Sequence, residues 1–565
     1  MTVGSFRLPL RKCEDPDPAI FCPANGFIDP TEEGYVPAEE DPLILQFNVT
    51  SGDTITLPFT ANSGIDCYVY WGDGSALSDQ ITSKTDTDAS HTYSVTGLVY
   101  VKIYGSVKSM SFYSDATLRA KLIAVAQWGT AADLVTFSEM FRGCSNLEHI
   151  PYLPITCAAS STSAYRMFQN CPKILAIPPE MFKYCTNITT FVAAFASNAQ
   201  LSWIPNDIFA YSTATITDIN TCFSGCTGLT SIPEGLLDNC TDITSLSYLF
   251  HHCDSLKTIP ATLFDYCTKL TTAYYCFAYC YDLEAIPAGL FDNCPDITSF
   301  MYCFYHCDTI TSIPTGLFDY NTKTTTFTRT FQYCISLTSI PTGLFDNCTL
   351  AEKFDYTFAN CNNASLTAIP TGLFDNLTEV TTFAYCFYYT KLTSLPTGLF
   401  DDCGKVTTFR STFYGVPLTS IPLGLFDYCT LVETFSYCFG GNNQLTGIPS
   451  GLFDNCPEVT DFSYCFVNCN NTGFTSIPSG LFDYCTKVLT FHSCFSGCNK
   501  ITAIPSGLYD NCTLVTTYYR THYANTSITS AVPELWNLDP EPTGTQCFYN
   551  CTNASNYGDI PVDWK

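Results

Sequence analysis

The most chemically capable side chains in this sequence are its 33 cysteines, and their spacing decides which thiol chemistry is open to them. Most fall at three positions of a recurring pattern. One closes a Phe-Asp-Asn-type segment, as at Cys240, Cys267, Cys294, Cys348, Cys403, Cys429, Cys456, Cys485 and Cys512, and the same position holds Asn321 and Leu377. The other two form pairs such as Cys303 with Cys307 and Cys494 with Cys498, whose first member is often replaced, as by Thr330, Thr357 or Thr412. Structural zinc takes complete sets of four ligands, and these sets are incomplete from repeat to repeat. A position that accepts leucine is a packing site, where free cysteine behaves as a small hydrophobe. The expectation is a ladder of buried thiols with no metal and no cofactor, disulfides and metal binding being the other two uses of such residues.

Three further residue types recur with the same period. Aspartate returns from Asp238 through Asp292 and Asp346 to Asp510. Stacked carboxylates repel, so each is expected to accept backbone N–H bonds in its own turn, the other use being a hard cation between repeats. Threonine returns at Thr311, Thr338, Thr393 and Thr419, either as an ordinary β-former or as a flat array that orders water. Tyrosine stands before the Cys-Phe or Thr-Phe pair at Tyr275, Tyr302, Tyr356, Tyr385, Tyr437 and Tyr464. These six are the candidate ligand-binding residues, because a rigid ring buries much area at low entropy cost; the other use is ring-on-ring packing for stability. No catalytic residue is expected. The seven histidines are scattered, and no G-x-S-x-G, H-E-x-x-H or phosphate loop is present.

The elements that must position these columns are set by the repeat. A proline after Ile, Leu or a relative recurs sixteen times from Pro151 to Pro561, a period of about 27 residues within the leucine-rich-repeat range. Phe318, Phe331 and Phe345 show that each unit is doubled internally. The spacing of Phe453, Cys456, Val459, Phe462, Phe466 and Cys469 is three or four throughout, which suits helical turns leading into arches. Short strands are expected at segments such as 337–340 and 406–409, stacked in parallel. The fold class expected is therefore α/β: a leucine-rich-repeat solenoid of about 27-residue coils preceded by a small all-β sandwich. The domains expected are a Pro-rich acidic arm at 1–42, the sandwich and its connector at 43–128, and the solenoid at 129–565, closed by a cap carrying Trp536 and Trp564.

With 24 Lys and Arg against 52 Asp and Glu, the net charge is −28. Phosphate neutralisation needs clustered cations, so nucleic acid is excluded as a partner, and an anionic membrane surface would repel the chain. The longer apolar runs, such as Leu122 to Trp128, fall far short of the roughly 18 residues of a membrane span. No apolar stretch follows the basic residues of the first segment, so a secretory signal is not expected there.

The segment LTSIPTGLFDNC at 337–348, paired with F-x-x-C segments, resembles the BspA-like leucine-rich repeats of bacterial surface proteins. That resemblance implies an extended solenoid used in adhesion or recognition. Tyr70-Trp71-Gly72-Asp73-Gly74, followed by His91-Thr92-Tyr93 and Gly97, resembles the signature of PKD-like immunoglobulin-like domains, which implies a spacer or binding module on a cell or particle surface. Asp73 is expected to be a turn residue whose side chain accepts from the backbone. The function expected is a non-enzymatic virion structural or adhesion protein, a phage fibre or a capsid or tail decoration, with bacterial cell-surface display as the alternative. The solenoid would meet a host-surface glycan or protein, and residues 1–42 would dock onto virion or cell-envelope proteins.

Overall fold

The computed structural model describes residues 41–60, 64–129, 134–151, 153 and 161–565, so all but the end of the expected arm at 1–42 lies outside the described residues. Strand β1 (Leu43–Val49) alternates, burying Leu43, Leu45, Phe47 and Val49 on one face. It pairs antiparallel with β5 (Gly97–Val107) on one edge and β6 (Leu122–Gln127) on the other, and β3 (Ile65–Tyr70) completes a four-stranded sheet in the order β3-β5-β1-β6. Strands β2 (Thr54–Thr56) and β4 (Ser90–Thr92) form a separate pair. Helix α1 (Ala116–Lys121), capped by the Asp115 side chain, leads into β6.

Strand β6 is the hinge of the architecture. Its outer edge bridges in parallel from Ala124 to His149 in the first coil, in the row of single bridges that includes Ala176 with Trp203 and Ser476 with Ala503, while a second row on the other half of the coils runs on to Thr517 and Thr543. The sheet of the N-terminal module therefore continues directly into the solenoid. The expected strands at 337–340 and 406–409 reduce to single bridges, Ser312 with Ser339 and Thr408 with Thr434.

The α/β expectation is corrected by the turns between these bridges: among the described residues the only α-helix is α1, with a few single 3-10 turns. The three-and-four spacing of apolar residues arises from arches, not helices. In the coil around Phe300, Tyr302 and His306 both have φ of 58°, in the left-handed region, which breaks any run of helical bonds. The N–H groups of Phe300, Tyr302, Phe304 and His306 instead donate to the carbonyls of Thr326, Thr328, Thr330 and Gln332 in the following coil. The intervening N–H groups of Cys303, Tyr305 and Cys307 close short turns onto Phe300, Tyr302 and Phe304. Each arch thus satisfies its backbone without a helix or an extended strand.

Inside the coils, phenylalanine rings stack in columns. Phe277, Phe304, Phe331 and Phe358 follow one another at 5.7–5.8 Å with interplanar angles of 3–9°. Phe300, Phe327 and Phe354 form a second column, Phe318, Phe345 and Phe374 a third, and rings of neighbouring columns meet tilted or edge-on. Both ends are covered. At the start, Phe112 lies on Phe141, and its N–H donates to the Met140 carbonyl. At the finish, the N–H groups of Gln546 and Phe548 donate to Asp563 and Trp564, and the Trp564 ring fills the space a side chain at Gly544 would need.

Candidate functional site

The cysteines of the described residues are free and buried. The arch thiols do more than pack: Cys253, Cys280, Cys307 and Cys334 donate to the carbonyls of Phe223, Phe250, Phe277 and Phe304 one coil back, at 3.2–3.3 Å. Asn442 replaces cysteine in this column and donates to Phe413 at 2.8 Å. Thr330, Thr357 and Thr412 do the same at the other arch position, each 3.0 Å from a phenylalanine carbonyl. The Phe-Asp-Asn-Cys thiols sit farther from their acceptors, Cys348 at 3.7 Å and Cys456 at 4.0 Å, and this is the column that accepts Leu377. Burial pushes the Cys226 and Cys348 thiols up to about 12, so almost no thiolate nucleophile forms at neutral pH.

The aspartate and threonine columns are also turned inward on the chain. Oδ2 of Asp375 and Asp427 lies 2.9 Å from where a Cβ would stand on Gly372 and Gly424, so each carboxylate folds over its own turn. Among the described residues, however, Asp292, Asp346, Asp401 and Asp454 take no backbone N–H bond on the side chain. Burial, then the neighbouring aspartates, raises their pKa values, which corrects the capping expectation. The threonine hydroxyls of Thr338, Thr419 and Thr446 donate to Thr311, Thr393 and Thr419 carbonyls, so they stitch coils together. In the N-terminal module, Asp73 accepts from the Ser75 N–H at 3.1 Å and pairs with His91 at 2.7 Å. Burial opposes ionisation of Asp73, but these hydrogen bonds outweigh it and hold its carboxyl below the usual range.

The six candidate tyrosines share one position, the first left-handed residue of each arch, and their half-buried rings form a column along the side of the coils. Tyr275 and Tyr302 stack at 4.1 Å, Tyr356 and Tyr385 at 4.3 Å, and Tyr437 and Tyr464 at 4.3 Å, with interplanar angles of 3–13°. Tyr248 extends the first pair at 4.9 Å. Between the first two pairs stands Arg329, whose flat guanidinium lies 5.3 Å from the Tyr302 ring centre and 4.1 Å from that of Tyr356. Between the second and third stands Ser411. Burial, then the neighbouring tyrosine, raises Tyr437 to about 12, so its hydroxyl stays protonated.

A second column runs four residues on. His252, Tyr279, His306 and Tyr333 stack at 4.2, 5.4 and 4.2 Å, nearly parallel. The sequence reading missed it, although the same 27-residue period applied to His252 and Tyr279 reveals it. Together the columns give a broad lateral face of rings and hydroxyls. Among the described residues no three His, Cys, Asp or Glu side chains are grouped to hold a metal ion, and no helix is long and apolar enough to cross a membrane.

Parallel bridges at a 27-residue pitch and a core of side chains stacked from coil to coil define a leucine-rich-repeat solenoid. The BspA type leucine rich repeat region matches in overlapping copies over residues 172–325, 254–365, 301–433, 354–488 and 393–555. The chain belongs to that family. Among solved structures, it is similar to a chain of the Drosophila Toll–Spatzle complex, with 15% identity and a TM-score of 0.36 over 57% of this chain and 43% of that one. It is also similar to a leucine-rich repeat protein from Bacteroides ovatus, with 15% identity and a TM-score of 0.25 over 78% of this chain and 87% of that one. The chain spans about half the length of the Toll complex chains it matches. No curated protein matches its sequence.

Proposed function

We propose that this protein is a non-enzymatic adhesin whose solenoid recognises a host-surface glycan or protein through the tyrosine column at Tyr275, Tyr302, Tyr356, Tyr385, Tyr437 and Tyr464. The observation that carries this reading is the stacking of those rings into pre-set, half-exposed platforms on rigid arches. Rings held in place before binding lose little entropy when a partner docks. Protonated, buried thiols support a role without covalent catalysis. In this reading residues 1–42 are the attachment arm, 43–128 a PKD-like spacer and 129–565 the recognition element. The carrier is a virion or a bacterial cell envelope.

The test compares the full chain with Tyr275→Ala/Tyr302→Ala in binding to host cells, alongside thermal unfolding. The expected outcome is a loss of adhesion of about tenfold or more, larger than any change in stability would explain. A variant that melts lower yet adheres normally would assign the column to packing alone. Mass spectrometry of purified virions and of envelope fractions identifies the carrier.

A further inference from the structure

The tyrosine column lacks a tyrosine at Arg329 and Ser411, between stacked pairs, and at Ser493, past the last pair, and the three places are treated differently. Arg329 fills the first with its guanidinium. At Ser493, His492 turns over Tyr464, 4.8 Å between ring centres, and shares a hydrogen bond of 2.9 Å with its hydroxyl. At Ser411 the gap stays open. A cavity of about 280 Å³ lies there, between Tyr385 and Tyr437, with Ser411, Arg410 and the rings of Tyr388, Tyr389 and Tyr414 around it.

The shape of this cavity follows from the stack. Tyr385 packs flat on Tyr356 and Tyr437 packs flat on Tyr464, and both rings line the gap on their other side, where Tyr388 meets Tyr385 edge-on at 5.4 Å. One coil is skipped, which separates the two rings by about twice the stacking distance, room for one further ring in contact with both. The flanking rings are drawn aside by glycine. A Cβ on Gly415 would stand 2.6 Å from the Tyr389 ring and one on Gly440 2.8 Å from the Tyr414 ring, so both rings lie close over bare backbone. Tyr414 then meets Tyr437 edge-on at 5.8 Å.

Arg410 supplies the charge. Arg142 and Arg166 pair with Glu139, Arg329 lies between two rings, and Arg520 holds Gln546, whereas Arg410 has neither an ion pair nor a side-chain hydrogen bond among the described residues. It is an exposed cation beside an aromatic slot on a chain of charge −28. An apolar aromatic guest would strip water from the guanidinium and phenol hydroxyls without replacing its hydrogen bonds. A polyanion would meet the repulsion of the whole chain. A pyranose has C–H faces for two rings and a hydroxylated edge, and a carboxylate on it matches the guanidinium fork.

We propose that this slot binds one pyranose ring of an acidic sugar, with its faces on Tyr385 and Tyr437 and its carboxylate on Arg410. The inference deepens the adhesin reading and rests on it for its biological setting. The experiment titrates the full chain with methyl glucuronide and methyl glucoside by calorimetry and ligand-observed NMR. The wild type is expected to take up the glucuronide in the millimolar range, about tenfold more tightly than the glucoside. Ser411→Tyr places in the slot the residue its neighbours carry at the same left-handed position. Glucuronide binding should then disappear while the melting temperature holds or rises. Arg410→Gln should bring the glucuronide down to the glucoside.

Binding that survives Ser411→Tyr, equal affinities in Arg410→Gln and wild type, or no binding of either sugar by the wild type would each overturn the assignment. If Ser411→Tyr lowers the melting temperature, Arg410→Gln alone decides. Adhesion to host cells without uptake of either sugar removes the slot and leaves the adhesin reading. Glucuronide uptake without adhesion does the reverse.

Discussion

At the scale of single residues, each column has a chemical job that its exceptions reveal. Cysteine, threonine and asparagine alternate in the arches because all three are small donors to a phenylalanine carbonyl one coil back. The Phe-Asp-Asn-Cys column tolerates leucine because its thiol bond is longer and weaker. The most informative exception is near the end, where two core phenylalanine positions hold Tyr509 and His522. His522 is fully buried between Phe495 and Phe548, and its Nε2 lies 2.9 Å from the Tyr509 hydroxyl. Burial lowers its pKa from 6.5 to about 3, so the unfolded chain takes a proton that the folded chain refuses. This stability is fully present above pH 6.5 and is lost as pH falls toward about 3. His522→Phe alone strands the Tyr509 hydroxyl and should cost about 1–3 kcal/mol, and adding Tyr509→Phe should recover it. Denaturant unfolding at pH 7.5 and 5 should show a larger acid sensitivity of the C-terminal coils in the parent than in the variants, which keep only the smaller contribution of His492. The sequence reading placed the thiols correctly inside the coils but not their bonds, since a hydrogen bond to a carbonyl 30 residues away leaves no local spacing signal.

At the scale of the coil, periodicity made the repeat legible, while the conformation of its turns was not. Apolar residues every three or four positions fit a helix as well as an arch, and only the left-handed residues, many of them tyrosine and not glycine, decide between them. The expected boundary at 128 falls just past strand β6, which pairs with β1 on one edge and bridges to His149 of the first coil on the other. A register device also went unread. Asp242 pairs with Lys269, Asp296 with Lys323, Glu379 with Lys405 and Glu458 with Lys487, always an acid in one coil and a lysine at the same place in the next. Each pair is exposed and contributes about 0.2–1 kcal/mol. Reversing one partner, Lys405→Glu, should lower stability by about 1 kcal/mol at low salt, and Glu379→Lys added to it should restore the loss. Salt titration of a double-mutant cycle checks this, because the coupling should shrink as ionic strength rises.

At the scale of the whole molecule, stability is carried from coil to coil, and the ends are where it can be lost. The last coil depends on Trp564, 3% exposed, set against Phe548 and edge-on to Trp536. Trp564→Ala should cost about 3–5 kcal/mol locally, with hydrogen exchange accelerated in the last coils and unchanged near Phe304. Equal acceleration throughout would mean that the array melts as one unit. The tyrosine column was legible from its period, but the open place at Ser411 was not, because in sequence it is only a tyrosine that is missing. Among the described residues each interior arch sends its lengthwise N–H groups to one neighbour and receives the same bonds from the other, and coils with two extra residues, such as the one ending at Pro370, keep that exchange intact. A whole repeat copied into or dropped from the gene would find matching partners on both sides. The reach of such a molecule can therefore be tuned in steps by recombination, with no retuning of what holds it together.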